Sequence, residues 1–203
     1  TQAVFFDYDR DGDLDLYQLF HSVHKNGTYG PRAKKIKESH PLSGDRLFRN
    51  DDGFFVDVTA ESGILSSVLG YGLGIAVSDV NDDGYPDIYV ANDFHENDYL
   101  YLNQGDGTFR ETLEEKMMHT SRFSMGTDIA DINNDGRMDI FVADMLPYKR
   151  EVLQTAAGEE PFDIYHMKKN LGYNEQYSRN VLQLNRGDGY FSEVGQLLGI
   201  EAS

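Results

Sequence analysis

Asp79-Val80-Asn81-Asp82-Asp83-Gly84-Tyr85-Pro86-Asp87 decides the fold, because the chain contains its pattern three times. Asp7-Tyr8-Asp9-Arg10-Asp11-Gly12-Asp13-Leu14-Asp15 and Asp131-Ile132-Asn133-Asn134-Asp135-Gly136-Arg137-Met138-Asp139 share the form D-x-[DN]-x-D-G-x-x-D. Oxygen-bearing side chains at positions 1, 3 and 5 of a tight loop converge on one point. A hard cation such as Ca²⁺, with roughly six to eight oxygen ligands, fits there. Gly at position 6 lets the backbone turn sharply where a side chain would obstruct it. An EF-hand would need Glu at position 12 and a helix on each side. Position 12 is Gln18, Val90 and Val142, and the last acid falls at position 9 instead.

The flanks read as strands. Ala3-Val4-Phe5-Phe6, Ile75-Ala76-Val77 and Ile129-Ala130 precede the loops; Leu16-Tyr17-Gln18-Leu19, Ile88-Tyr89-Val90-Ala91 and Ile140-Phe141-Val142-Ala143 follow them. β-Branched and aromatic residues suit a pleated, half-buried surface. The expected side-chain ligands are Asp7, Asp9, Asp11 and Asp15; Asp79, Asn81, Asp83 and Asp87; and Asp131, Asn133, Asp135 and Asp139. The carbonyl at position 7, from Asp13, Tyr85 or Arg137, completes each set, giving about three Ca²⁺ sites. The competing reading is a metal-free hairpin turn, since Asp, Asn and Gly are also turn formers. Four acidic or amide groups within nine residues repel one another unless a cation sits among them.

The 203 residues carry a formal net charge of −17, with no Cys and no Trp. That length allows one ordinary domain. The acidity argues against nucleic-acid binding. Lack of Cys excludes disulfides, zinc-thiolate sites and thiol nucleophiles. No run is long and apolar enough to span a bilayer as a helix. With no signal peptide and no initiating Met, the sequence reads as a fragment, or as a mature segment whose targeting information has been removed.

The repeat extends beyond the loop. A third strand, an Asp-Gly turn and a fourth strand recur as Arg46–Asn50 then Phe54–Val56, Tyr99–Asn103 then Thr108–Arg110, and Val181–Asn185 then Tyr190–Ser192. Asp-Gly between apolar runs is a strong hairpin signal. The third copy's turn is Arg186-Gly187-Asp188-Gly189. Three four-stranded antiparallel units at a period near fifty residues, about 1–71, 72–125 and 126–203, predict an all-β fold of propeller blades. An open stack of hairpins or a β-sandwich is the alternative. Three blades are too few to close, since propellers typically have about four to eight. The expectation is further blades from a longer parent chain, or closure through another chain.

Two copies carry long insertions between strands two and three. Phe20–Asp45 is a basic island with His21, His24, Lys25, Arg32, Lys34, Lys35, Lys37 and His40. Met145–Arg179 is rich in Tyr and Lys. The middle copy has only Asn92-Asp93-Phe94-His95-Glu96-Asn97-Asp98 there. In a meander, these connections lie at the opposite end from the metal loops. The repeated frame holds them, so the insertion face is the candidate partner surface; plain solvated loops are the alternative.

These phrases resemble the FG-GAP, or VCBS, repeats of integrin alpha-subunit propellers. Phe5–Tyr17, Asp87–Phe94, Ser124–Asp131, Asp144–Pro147 and Arg179–Asn185 are more similar still to the bacterial ASPIC/UnbV, cartilage-acidic-protein-like group. The resemblance implies a calcium-stabilised propeller of about seven blades, exported to the cell surface or periplasm. It implies the same twelve side-chain ligands. Function reads as a non-enzymatic extracellular scaffold that binds a glycan or a surface protein; a purely structural adhesion or assembly module, contacting a partner protein through the insertion face, is a third reading. A calcium-dependent polysaccharide lyase or hydrolase is the alternative. No H-E-x-x-H, G-x-S-x-G or phosphate loop is present. His95-Glu96 and His166-Met167-Lys168-Lys169 are the weak acid–base candidates, so no catalytic residue is assigned. Asn26-Gly27-Thr28 matches a glycosylation sequon.

Overall fold

The computed structural model describes residues 2–23, 29–155, 160–187 and 189–202. The sequon Asn26-Gly27-Thr28, His24, Lys25 and Asp188 lie outside them. The first blade is β1 (Gln2–Phe6), β2 (Asp15–Leu19), β3 (Arg46–Asp51) and β4 (Phe54–Asp57), paired antiparallel in chain order. The insertion between β2 and β3 carries the short helix α1 (Arg32–Lys35), and α2 (Thr59–Ser62) follows β4. Blade two is β5 (Gly72–Ser78), β6 (Asp87–Asn92), β7 (Tyr99–Asn103) and β8 (Phe109–Glu111), followed by α3 (Leu113–Lys116) and β9 (Thr120–Ser121). Blade three is β10 (Gly126–Ala130), β11 (Asp139–Ala143), β13 (Val181–Asn185) and β14 (Phe191–Glu193). Its insertion holds α4 (Arg150–Thr155), α5 (Phe162–Asn170) and β12 (Gln176–Tyr177), and α6 (Gly195–Leu198) follows β14.

The all-β, propeller-like fold is therefore as expected. The insertions depart from the loops read in the sequence, because their described residues carry three helices and the strand β12. β12 pairs parallel with β9 and ties the third insertion to the end of blade two. α2 and α6 stop at Gly63 (φ 80°) and Gly199 (φ 73°), left-handed residues that glycine adopts without a Cβ penalty.

Blade two is the middle layer. Strands β6 and β7 are buried at every position, as expected of strands covered on both faces. Ile88, Val90, Tyr99 and Tyr101 pack toward Tyr17, Leu19 and Leu47 of blade one. Alternate residues Tyr89, Ala91, Leu100 and Leu102 pack toward Ile140, Val142 and Val181 of blade three. Each such large side chain contributes about 1.5–3 kcal/mol by leaving water. The innermost strands adjoin, with β5 between β1 and β10. At that seam a Cβ on Gly74 would come within 3.0 Å of Gly126 Cα, so a larger residue would push blades two and three apart. The outer end of blade one is bare: Phe5 is 57 % exposed and packs edge-on against Phe55, and Phe54 is 78 % exposed. This is the open blade face expected of an arc of three.

Candidate functional site

All three acidic loops join the first two strands of a blade and fold by one scheme. The position-1 carboxylates of Asp7, Asp79 and Asp131 accept the backbone N–H of position 5 on one oxygen and of Gly at position 6 on the other. Position 3 (Asp9, Asn81, Asn133) also accepts the position-5 N–H. Position 5 (Asp11, Asp83, Asp135) accepts the N–H of Asp13, Tyr85 or Arg137. The turn needs two successive departures: position 4 is left-handed at Arg10 (φ 63°), Asp82 (φ 59°) and Asn134 (φ 58°), and Gly follows two residues later. Asp and Asn tolerate that conformation better than most residues; Arg10 does not share the advantage.

In the first loop Asp7, Asp9 and Asp15 each place an oxygen within 4.8 Å of the others, while Asp11 stands outside that cluster. Partial burial, then the Asp11 charge, pushes the Asp9 carboxyl up, and burial does the same for Asp15. A donor set of crowded oxygens whose ionised forms are disfavoured is what a hard cation relieves. The loops are not equal. Asn81 and Asn133 donate from Nδ2 to Asp83 and Asp135. In the third loop Arg137 also sits 2.5 Å from Asp135 Oδ2. That carboxylate already has a cation beside it, a departure that the sequence pattern did not show.

Position 9 does more than face a metal. Asp15, Asp87 and Asp139 are buried, and each accepts the N–H of loop position 2 and, on the other oxygen, the N–H of Asn50, Asn103 or Asn185 on the third strand. Burial raises Asp87 to about 7 despite these bonds. The Asn amides then lock blades together. Asn103 Nδ2 reaches Tyr8 O of blade one at 2.8 Å, and Asn185 Nδ2 reaches Val80 O of blade two at 2.7 Å.

The opposite end has its own recurring clasp. Tyr17 and Tyr89 donate to the buried Asp45 and Asp98, whose other oxygens accept Phe20 N and Asn92 N. Burial lifts both carboxyls to about 7. In blade three Phe141 has no hydroxyl, and the carboxylate is replaced by Asn180, which accepts Asp144 N.

Above this clasp the two insertions converge on residues 92–98. Arg32 pairs with the fully buried Glu96 at 2.8 Å, and its N–H bonds Leu171 O in the other insertion. Gln176 Nε2 donates to Glu96 O, and Asn174 N to Asn97. His95-Glu96, one of the weak acid–base candidates, is not open to solvent. His95 is 3 % exposed, with its ring edge-on to Tyr29, Tyr71 and Tyr173. Burial, then Lys168, Lys35 and Arg122, pushes it down to about 4, so it is neutral at pH 7. His166 lies outside this hub, its ring centroid 4.1 Å from that of Phe162. The sequence carried one signal for the hub: seven polar or aromatic residues in a connection too short to reach past its neighbours. The insertions hold ten of the eighteen Lys and Arg but seven of the thirty-five Asp and Glu. They are net +3, and the remainder of the chain is net −20.

Residues 79–142 match the FG-GAP-like repeat family. The chain is 32 % identical to cartilage acidic protein 1 of Mus musculus over 152 residues, covering 73 % of this chain and 22 % of that protein. It is 32 % identical to the Homo sapiens protein of that name over 135 residues, covering 65 % and 19 %. The chain thus spans about a fifth of the length of the curated relatives it matches. A solved structure of an Agrocybe aegerita lectin, described as recognising non-reducing terminal N-acetylglucosamine, aligns over 94 % of this chain and 36 % of its own. The TM-score is 0.43 at 15 % identity.

Proposed function

We propose that this chain, an FG-GAP-repeat protein related to cartilage acidic protein 1, is a calcium-stabilised, exported scaffold that does no chemistry of its own. Its partner, a glycan or a surface protein, binds the insertion face. The observation that carries this reading is the oxygen cluster of Asp7, Asp9 and Asp15, set in a hydrogen-bond scheme that recurs in all three loops. Bound calcium would supply positive charge at the corner between the first two strands. The protein's part is to hold the ligands: positions 1, 3 and 5 by the backbone N–H groups, and position 9 by the N–H groups of loop position 2 and of the third-strand Asn. Affinity should fall from the first loop to the third, where Arg137 competes for Asp135. No helix among the described residues is long and apolar enough to cross a membrane. Extracellular placement therefore rests on the relationship to cartilage acidic protein 1. The bare face at Phe5 and Phe55 takes a further blade of the same kind, from a longer parent chain.

Calorimetric titration with Ca²⁺ tests the reading. Saturating calcium should stabilise the fold by about 2.7 kcal/mol per site at a hundredfold excess over Kd. Mg²⁺ should do much less, because it demands tighter octahedral geometry and holds its water. Asp7→Ala should remove the strongest site and Asp83→Ala a weaker one. No heat of binding, together with melting curves that ignore calcium, would reject the proposal.

A further inference from the structure

Aromatic side chains gather where the insertions meet. His21, Tyr71, Phe94 and Phe123 form one edge-to-face line, and Tyr71, His95, Tyr173 and Tyr29 another, with centroids 5.0–6.4 Å apart. Tyr71, His95 and Tyr173 are buried; Phe94, Phe123 and Tyr29 are half-buried. Phe94 is held at φ 66°, a left-handed conformation that a bulky residue adopts only where its surroundings fix it, and such residues concentrate at binding sites.

Cations border these rings. The Arg122 guanidinium lies 4.9 Å from the Phe123 centroid. Arg122 and Lys168 face the same Glu160 oxygen at 3.4 and 3.3 Å. The charges acting on the His95 ring are those of Lys168, Lys35 and Arg122. His95 Nδ1 is buried without a hydrogen-bond partner, a polar atom left unmatched in the middle of this group. Lys35, Arg122 and Lys168 therefore bring positive charge beside the aromatic faces, opposite Glu160 and the Asp93 and Asp144 carboxylates that accept Phe94 N and Phe123 N.

Resting on the reading of the insertion face as the partner surface, we propose that this seam binds an acidic glycan. A uronate-bearing sugar lays its C–H face against the half-buried rings of Phe94, Phe123 and Tyr29 and turns its carboxylate toward Lys35 and Arg122. Aromatic faces take the apolar face of a pyranose. Arg and Lys pair with its carboxylate through charge-assisted hydrogen bonds. The insertions as a whole carry +3 against −20 for the remainder of the chain, which favours an anion here over the acidic surface elsewhere. An acidic peptide brings the charge but not the flat apolar face that the half-buried rings match.

The test is calorimetric titration of the whole calcium-saturated chain with trigalacturonate, its neutral methyl ester and poly-glutamate. Trigalacturonate should bind, and the ester at least tenfold more weakly. Phe94→Gly removes the ring and also relieves the left-handed backbone, so the variant keeps its calcium-dependent melting while binding falls tenfold or more. Lys35→Gln should weaken trigalacturonate without changing the ester. Equal binding of acid and ester overturns the acidic class and leaves a neutral-glycan scaffold standing. Binding that survives both variants but is lost in Asp83→Ala places the ligand on the metal loops and overturns the seam. If poly-glutamate binds, is lost in both variants, and no sugar binds, the glycan is overturned and a protein partner on the same face remains.

Discussion

The two ends of these blades are built by opposite rules. At the metal-loop end the same side chains recur three times, and most of them satisfy backbone N–H groups. At the insertion end only the Tyr–Asp clasp recurs, and even it becomes Phe141 and Asn180 in blade three. The remainder of that end is particular to this chain: the buried Arg32–Glu96 pair, the neutral His95 and a run of rings. Repetition marks the part that every blade needs in order to close its first hairpin. Divergence marks the part free to take on a partner, as connections on a rigid frame commonly do. The comparison fails if the divergent end proves to be a passive lid.

Its largest expected consequence lies in the Arg32–Glu96 pair, which joins all three blades' upper connections. Glu96 is fully buried, and its carboxylate also accepts Tyr99 Oη. Arg32→Ala leaves that charge without its partner and should destabilise the fold by about 3–5 kcal/mol. Denaturant melting reads the loss directly. At the metal-loop end, Asp82→Gly replaces an exposed left-handed residue and should change stability by no more than about 0.5 kcal/mol. If Arg32→Ala unfolds like the parent chain, the insertions are not knitted into the core and the contrast between the ends collapses.

A somewhat smaller effect should appear with pH. Asp45 and Asp98 sit at about 7 in the fold against 3.8 for a free carboxyl. Their pKa is raised, so the stability they contribute is fully present below about pH 4 and is lost as pH rises through 7. In chelator, where Asp87 of the second metal loop also sits at about 7 and adds to the effect, the chain should be more stable at pH 5 than at pH 8, by on the order of 2 kcal/mol for each carboxylate. Asp98→Asn should flatten that dependence by one proton. Tyr89→Phe combined with Asp98→Asn reproduces the blade-three arrangement and should cost less than the two single changes added together. A pH profile unchanged by Asp98→Asn would show that the clasp does not titrate.

The fold was legible because its signals are local. Strand, acidic loop, strand and Asp-Gly turn each fit within about ten residues, and threefold recurrence removes the ambiguity of any one copy. The clasp was present in the sequence as Tyr17, Tyr89 and Phe141 paired with Asp45, Asp98 and Asn180. It went unread because its partners lie 28, 9 and 39 residues apart, across insertions of unequal length. The left-handed position 4 was hidden behind Arg10, a residue with no preference for it. His95 misled for a physical reason. A polar seven-residue connection looks solvated until two insertions from other blades fold over it, and its shortness and its polar and aromatic residues do not say which partners will cover it.

The smallest effect tests the metal-loop end against itself. Asn50, Asn103 and Asn185 make the same three bonds within their own blades: N–H to position 9, Oδ1 from a turn N–H, and Nδ2 to the carbonyl of loop position 8. Asn103 and Asn185 add the bond to the preceding blade; Asn50 is at the open face and does not. Asn103→Ala should therefore cost more than Asn50→Ala by roughly one buried hydrogen bond, about 1 kcal/mol. Equal losses would mean that the inter-blade bond carries no net stability. A preceding blade supplied in a longer chain should bring the Asn50→Ala loss up to that of Asn103→Ala, because the amide would then have a carbonyl to reach. The same addition should cover Phe5 and Phe55, so protection of their ring surface and the new cost at Asn50 should appear together.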